Sequence, residues 1–523
     1  MRTTPLPLHL LLFALAACPA PRSPALAKLD LWACPLELSD AVLDDPQAYL
    51  ACPLPGAVAE LIRSDYADDE LATPDWEQLR RFDGKVPREA FVRQLSEFIV
   101  PDQSLLPWIQ FDPTTGLLEP EPVLAPDLVL HLPSEPLAAP PGHLQPPLGR
   151  DRPFRAERQA QLRASVDARH PVGALRVVLD PGHFGGPLAA FESREFTWAP
   201  PGGAPPITIK EGELTLKTAL ELKEKLEARG VEVFLTRDGP GPGHPYPLSS
   251  FRSFADGLLR HLARDPRFLA IDERLPLDER RRLRTAVALH AVRKQFIFEA
   301  LRTRMRRAAE LDPDLLVSIH FNASAGPPGR SYEQALVAMV KGSYEPVRLY
   351  NSYYRFRAIR DALELDEFNA SAHLGARVLN HMSRELQLPI QRDSHRYPDH
   401  KAIFRADGSA SGVDAWNGVL FRYVDFPAVL AEGPHMDERD EMPRLSAAML
   451  APLHQRGTRT ERYAEGLAKG ILEWAGQWLA QERNDFGSDL PLPSQGQHLP
   501  LAQSVDPRRR HAHLFPPEAL ALQ

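Results

Sequence analysis

An excess of positive charge is missing from this 523-residue chain, cysteine is scarce at three residues, and long apolar runs are few; the first and last of these each argue against a class of protein. Lys and Arg number 61 against 69 Asp and Glu, a formal charge of -8, so the basic face with which a general nucleic-acid binder neutralises phosphates is missing. The runs Arg280 to Arg282 and Arg508 to Arg510 are local and read as solvated helix or tail charge. Beyond the first residues, no apolar stretch approaches the length of a membrane-crossing helix. No HExxH pair occurs, which argues against peptidases whose zinc ligands sit one helical turn apart.

What the chain does have begins at its N-terminus. Arg2 precedes the apolar stretch LPLHLLLFALAA, too short to span a bilayer but suited to the core of a secretory signal. It ends in Leu15-Ala16-Ala17-Cys18, which resembles the bacterial lipoprotein box, whose cysteine is lipidated and becomes the first mature residue. The expectation is an exported protein of the cell envelope, a periplasmic lipoprotein held to a membrane through Cys18. A cut after Ala25-Leu26-Ala27, discarding Cys18, is the alternative. If Cys18 is the anchor, Cys34 and Cys52 remain as an even pair in a compartment that permits disulfides.

With 43% hydrophobic and 25% charged residues, the chain can bury one large core and carry additional modules. Its 53 prolines, about twice the usual frequency, concentrate in tracts such as LLEPEPVLAPDLVLHLPSEPLAAPPGHLQPP, which cannot be helical or central strand. The expected organisation is a signal peptide over 1–17, a small mixed module over 29–116 and a Pro-rich linker over 117–173. An α/β domain over 174–480 and a disordered tail over 481–523 complete it. In the first module Phe91, Leu95, Phe98 and Ile99 share one helical face, and a strand pair follows around LLPWIQFD and TTGLLEP. The larger domain alternates β-branched runs with helical ones: ALRVVLD, ELTLKTALELKEKLEARG, VEVFLTR and DLLVSIH. That alternation predicts an α/β fold, a mostly parallel twisted sheet with helices on both faces. The first long helix should stop at Gly230 and pack through Leu216, Leu220, Leu222 and Leu226.

Four residues of this domain carry candidate chemistry. His183 follows RVVLD through a Pro-Gly turn, and His320 ends LLVSI; Glu211 begins the long helix, and Glu432 follows the strand PAVLA. In open α/β sheets such positions gather beyond the carboxyl ends of the strands. His183, Glu211 and His320 are donors of the type that hold a catalytic zinc with one position open, and Glu432 could move protons. The combination reads as a metallohydrolase. Glu213 competes with Glu211, and His395, His400 and His435 are reserve ligands in polar loops.

The pattern resembles the zinc-dependent N-acetylmuramoyl-L-alanine amidases of bacterial cell walls. Asp180-Pro181-Gly182-His183, Glu211 with Thr215 and Leu216, Thr236-Arg237, Ser318-Ile319-His320 with Asn322, and Pro427 to Glu432 carry the likeness. Arg304 and Ala308, and Glu441 and Leu445, match at the family's spacing. The resemblance implies Zn2+ on His183, Glu211 and His320, with Glu432 as the catalytic carboxylate. It also implies peptidoglycan as substrate, cut at the amide between the lactyl group of N-acetylmuramic acid and L-alanine. A protein that keeps the fold but only binds peptidoglycan is a further possibility, which retention of all four residues opposes.

The chain departs from the family in three insertions. One lengthens the loop from His183 to Glu211. A second, 241–300, is strongly helical; it could cover the active edge until a protein activator displaces it, or be peripheral. A third carries YNSYYRFRAIRD and RDSHRYPDHK, residue types suited to lining or covering a cleft.

Overall fold

The computed structural model describes residues 31–480, apart from several internal stretches, among them 60–73, 121–127, 135–154 and 392–399. The signal peptide, Cys18, His395 and the tail lie outside the described residues.

Strand periodicity builds the centre of the molecule. A seven-stranded sheet runs in the order β10-β11-β9-β12-β8-β4-β7. Its strands are β4 (Arg176–Pro181), β7 (Glu232–Leu235), β8 (Leu315–Phe321), β9 (Val337–Lys341), β10 (Lys401–Phe404), β11 (Ala410–Trp416) and β12 (Ala428–Gly433), while β5 (Glu195–Trp198) and β6 (Ile207–Lys210) form a separate antiparallel pair. The four that carry the candidate site, β7, β4, β8 and β12, are mutually parallel. Beyond them β9 pairs antiparallel with β12, and β10 antiparallel with β11. Side chains alternate between the faces. Val177, Leu179, Leu315, Val317, Ile319, Val429 and Ala431 bury against one helical layer, whereas Val178, Leu316, Ala428 and Leu430 bury against the other. The expected mostly parallel sheet with helices on both faces is the fold observed.

The first layer contains the helices Glu211–Glu227, Leu365–Leu386 and Arg459–Ala480; the second is built on the C-terminal half of Leu277–Glu310. The Glu211–Glu227 helix ends before Gly230, whose φ of 79° supplies the left-handed turn expected there. Its buried face differs from the predicted one. Leu222 and Leu226 are buried, but the stripe runs through Glu211, Leu214, Thr215, Thr218 and Ala219, leaving Leu216 and Leu220 half-exposed. Turning Glu211 toward the sheet rotates the helix away from the face that leucine spacing alone selects.

Within the ranges expected as module 29–116 and linker 117–173, the described segments pack against different parts of the molecule. The described residues of 31–58, closed by a Cys34–Cys52 disulfide, join the helical insertion Arg252–Leu262, Pro266–Asp272 and Leu277–Glu310 in a second core that also takes in Phe184 and Phe191. The described residues of 76–132 instead pack on the helices Ser352–Leu363 and Leu365–Leu386: Trp76 meets Phe356 edge-on, Phe98 stacks on Phe368, and Arg81 pairs with Glu364. Phe91, Leu95 and Ile99 are buried there as their spacing predicts. The strand pair is present as β1 (Ile109–Asp112) and β2 (Leu117–Pro120), and a third strand, β3 (Leu130–His131), joins it from within the Pro-rich tract. The helix Arg155–Ala164, also in that range, docks on the C-terminal helix, with Arg158 held to Asp314 at 2.7 Å and Gln159 donating to the Trp478 carbonyl. Proline fixes extended backbone, and extended backbone pairs with an open sheet edge as readily as it spans a gap.

Candidate metal centre

The turn after β4 is held from four sides. Asp180 is buried and accepts from Thr236 Oγ1 at 2.5 Å and Ser318 Oγ at 2.9 Å. The Arg237 guanidinium donates to the carbonyls of Pro181, Gly182 and Gly212, each at 2.9 Å. Arg304 Nη1 donates to Pro181 O at 2.7 Å, and Thr215 Oγ1 to Gly182 O at 2.6 Å. Burial, and then the nearby charge of Arg304, lower the Arg237 pKa to about 10, so it remains a cation at neutral pH. Two glycines permit the closeness. A Cβ on Gly182 would lie 2.4 Å from the His320 ring, and one on Gly212 would lie 2.0 Å from the Phe184 backbone. The motif residues Thr215, Thr236, Arg237 and Arg304 are thus the scaffold of this turn, not its reactive groups.

That scaffold brings three ligand-type side chains together. His183 Nε2 lies 3.5 Å from Glu211 Oε2, and His320 Nδ1 lies 3.2 Å from Glu211 Oε1, which also accepts the Phe321 N–H at 3.1 Å. One ligand atom from each of the three residues falls within 4.8 Å of the others, and among the described residues this is the one such grouping of His, Cys, Asp and Glu. Glu211 is 1% exposed, yet its Oε2 accepts no hydrogen bond. Burial pushes the Glu211 carboxyl up, but His183, His320 and Arg194 bring it down to about 2; the same pairing raises His320 against its own burial. Two imidazoles and an ionised carboxylate with a spare buried oxygen suit a zinc ion, which commonly takes three protein ligands in catalytic sites. Glu213 points elsewhere: its Oε1 accepts the Gly186 N–H at 3.1 Å.

Glu432 stands beside this group because β12 pairs with β8 in a register that sets it opposite His320. Both residues are in phase with Leu316 and Leu430, so their side chains leave the sheet on one face. Glu432 Oε2 is buried without a hydrogen-bond partner. Burial raises the Glu432 pKa, opposed by His320 and reinforced by Glu211. The Tyr463 hydroxyl locks the two strand ends, lying 2.7 Å from Ala431 O and 3.1 Å from His320 O.

Two residues that sequence reasoning passed over also reach the site. Glu192 Oε1 is 3.5 Å from His183 Nδ1, and Arg194 Nε is 3.7 Å from Glu211 Oε2. Both lie in the lengthened loop, where no motif marked them. Neither reserve histidine among the described residues belongs to this grouping: His400 lies 3.5 Å from Asp414, and His435 is fully buried edge-on to Tyr332. The segment YNSYYRFRAIRD does not line this edge. It forms the helix Ser352–Leu363, whose Arg357 and Arg360 pair with Asp425, just before β12 begins and hence at the opposite end of the sheet from Glu432.

Comparison with known proteins gives the same family as the motifs. Among solved structures the chain is similar to Cwp6 from Clostridium difficile, at 17% identity and a TM-score of 0.30, covering 57% of this chain and 29% of that one. It is also similar to the CwlD amidase from Clostridioides difficile, in complex with the GerS lipoprotein, at 14% identity and a TM-score of 0.31, covering 57% of this chain and 98% of that one. The N-acetylmuramoyl-L-alanine amidase AmiC2 of Nostoc punctiforme follows at 18% identity and a TM-score of 0.29, covering 58% of this chain and 97% of that one. No curated protein matches. The family match itself spans residues 177–451, more than half the chain and from β4 past Glu432, so this protein belongs to the N-acetylmuramoyl-L-alanine amidase family.

Proposed function

We propose that the protein is a zinc-dependent hydrolase of peptidoglycan that cleaves the amide between the lactyl group of N-acetylmuramic acid and L-alanine. The observation that carries this reading is the convergence of His183, Glu211 and His320, with Glu432, one of whose carboxylate oxygens is buried without a hydrogen bond, on the adjacent strand. His183, Glu211 and His320 would hold the ion; when bound, zinc polarises the amide carbonyl and makes water a stronger acid. Glu432 takes a proton from the attacking water and returns it to the leaving amine of L-alanine. Its raised pKa suits both halves of that task, because a general base works best when its pKa approaches the operating pH. The oriented turn supplies rigidity, with Arg237 and Arg304 fixing the backbone that presents His183.

The test is purified peptidoglycan digested by the wild type and by Glu432→Gln, with stem peptides bearing free L-alanine read by mass spectrometry. Glu432→Gln should keep its zinc and lose about 10²- to 10⁴-fold in rate. Near-normal turnover would sink the assigned role, and a wild type that releases no such peptides would sink the activity. We also propose export as a lipoprotein anchored at Cys18. Cys18→Ser should then accumulate an unlipidated precursor or a product cut elsewhere, whereas an unlipidated wild-type N-terminus at Lys28 would refute the anchor.

A further inference from the structure

The two ring nitrogens of His183 face two different carboxylates. Nε2 points at Glu211, inside the ligand cluster, while Nδ1 points away from it, 3.5 Å from Glu192 Oε1. The second oxygen of Glu192 accepts the Phe184 N–H at 2.5 Å, and its side chain is 8% exposed. A buried carboxylate behind the outer nitrogen of a metal-ligating histidine fixes the tautomer: the proton sits on the outer nitrogen and the lone pair faces the metal.

The neighbours of Glu192 in the chain are held by groups outside the ligand set. Phe191, next to it in the chain, is fully buried and meets Tyr49 edge-on at 4.9 Å and Phe296 at 5.6 Å. Phe184 meets the same Phe296 at 5.8 Å. On the other side Ser193 adopts a φ of 59°, strained for a non-glycine residue, and its hydroxyl accepts from Arg293 Nη2 at 2.8 Å. Phe296 and Arg293 belong to the inserted helix Leu277–Glu310, and Tyr49 to the segment closed by Cys34 and Cys52. The insertion therefore grips the outside of the loop that carries Glu192.

We propose that Glu192 is a positioning residue that orients His183 for metal binding, and that the inserted helix and the disulfide-closed segment hold Glu192 in place. This rests on the metal-centre reading given above. It assigns the insertion a supporting function at the site. The carboxylate acts through His183 and takes no part in the chemistry, so its signature is metal affinity and not rate alone.

Zinc affinity, measured by chelator competition, separates this role from mere packing. Glu192→Gln keeps the shape and an acceptor for the Phe184 N–H but removes the charge. It should weaken zinc binding about 10- to 100-fold. Glu192→Asp, which keeps the charge, should recover part of that loss. Phe296→Ala, which touches no ligand, should weaken zinc binding several-fold in the same direction. Wild-type zinc affinity in Glu192→Gln, while His320→Ala loses zinc, would overturn the role of Glu192 alone; wild-type affinity in Phe296→Ala would overturn the role of the insertion. A wild type without zinc would overturn the metal centre and this proposal with it. A readout that needs no folded variant at position 192 is the ¹⁵N spectrum of histidines in the zinc-loaded wild type. His183, assigned through the signal lost in His183→Gln, should be protonated at Nδ1 and metal-bound at Nε2. The reverse arrangement would overturn the proposal.

Discussion

His183 occupies the left-handed region with a φ of 54°, a conformation that costs a residue with a Cβ about 1–2 kcal/mol. The Asp-Pro-Gly-His turn tolerates this because Arg237, Arg304 and Thr215 bind its carbonyls, leaving the chain no alternative path. Strain of that kind is kept where geometry matters more than stability. At the same scale, the choice between Glu211 and Glu213 depends on helix phase, because residues two apart face different sides. Glu211 faces His183 and His320, and Glu213 faces the Gly186 N–H. We therefore expect His320→Ala and Glu211→Ala to lose stoichiometric zinc and Glu213→Ala to retain it, measured as metal per protein after gel filtration. Retention in His320→Ala would show the ligand set to be wrong, and loss only in Glu213→Ala would show the register to be wrong. Glu192 and Arg194 were invisible in sequence. A Glu and an Arg in a long polar loop carry no spacing that distinguishes them from solvated charge.

Among the elements, the strands β4, β8 and β12 and the helix after Glu211 were all legible, because β-branched runs alternating with a glycine-stopped helical period leave one reading. The packed face of that helix was not. Its leucines are spaced all around the cylinder, and the face is chosen by what Glu211 and Thr215 must reach, namely the end of β8 and the Gly182 carbonyl. Close approach of the turn to β8 also requires Gly182, whose added Cβ would lie 2.4 Å from the His320 ring. Gly182→Ala should therefore reduce bound zinc and lower the thermal midpoint. Gly239→Ala, whose Cβ would meet nothing within 4 Å, should change neither. Equal zinc content in the two variants would show that the turn has room to spare.

For the whole molecule, the end of the sheet opposite the candidate site is held by buried charge. Asp425 accepts from Arg357 and Arg360; Lys341 reaches Asp361 at 3.3 Å and Glu367 at 2.9 Å; Arg81 ties the N-terminal unit to Glu364. Burial would push the Asp425 and Asp361 carboxyls up, but the charges of Arg360, Arg357 and Lys341 hold both below the usual carboxylate range. A depressed folded pKa contributes stability that is present above the unfolded value, about 3.9, and is lost as pH falls through the folded one. Acid unfolding should thus deepen below about pH 4, and Asp425→Asn should flatten that dependence. The same substitution leaves two buried guanidiniums short of a partner and should cost about 3–5 kcal/mol in denaturant unfolding at neutral pH. A loss under about 1 kcal/mol, the range of exposed pairs, would show the network to be solvated. None of this was readable from YNSYYRFRAIRD, whose arginines and tyrosines suit a cleft as well as a core. Motif order and strand periodicity by themselves determined the fold class, the four parallel strands β4, β7, β8 and β12, the strand-end histidines, the helix-start glutamate and the family, because these depend on local backbone preference and on residue types at fixed spacing. Only the tertiary structure decided what the described N-terminal segments pack against, the buried face of the Glu211–Glu227 helix, the place of the helix Ser352–Leu363 and the reach of Glu192 to His183. Each of those depends on contacts between residues far apart in the chain, which no local pattern encodes.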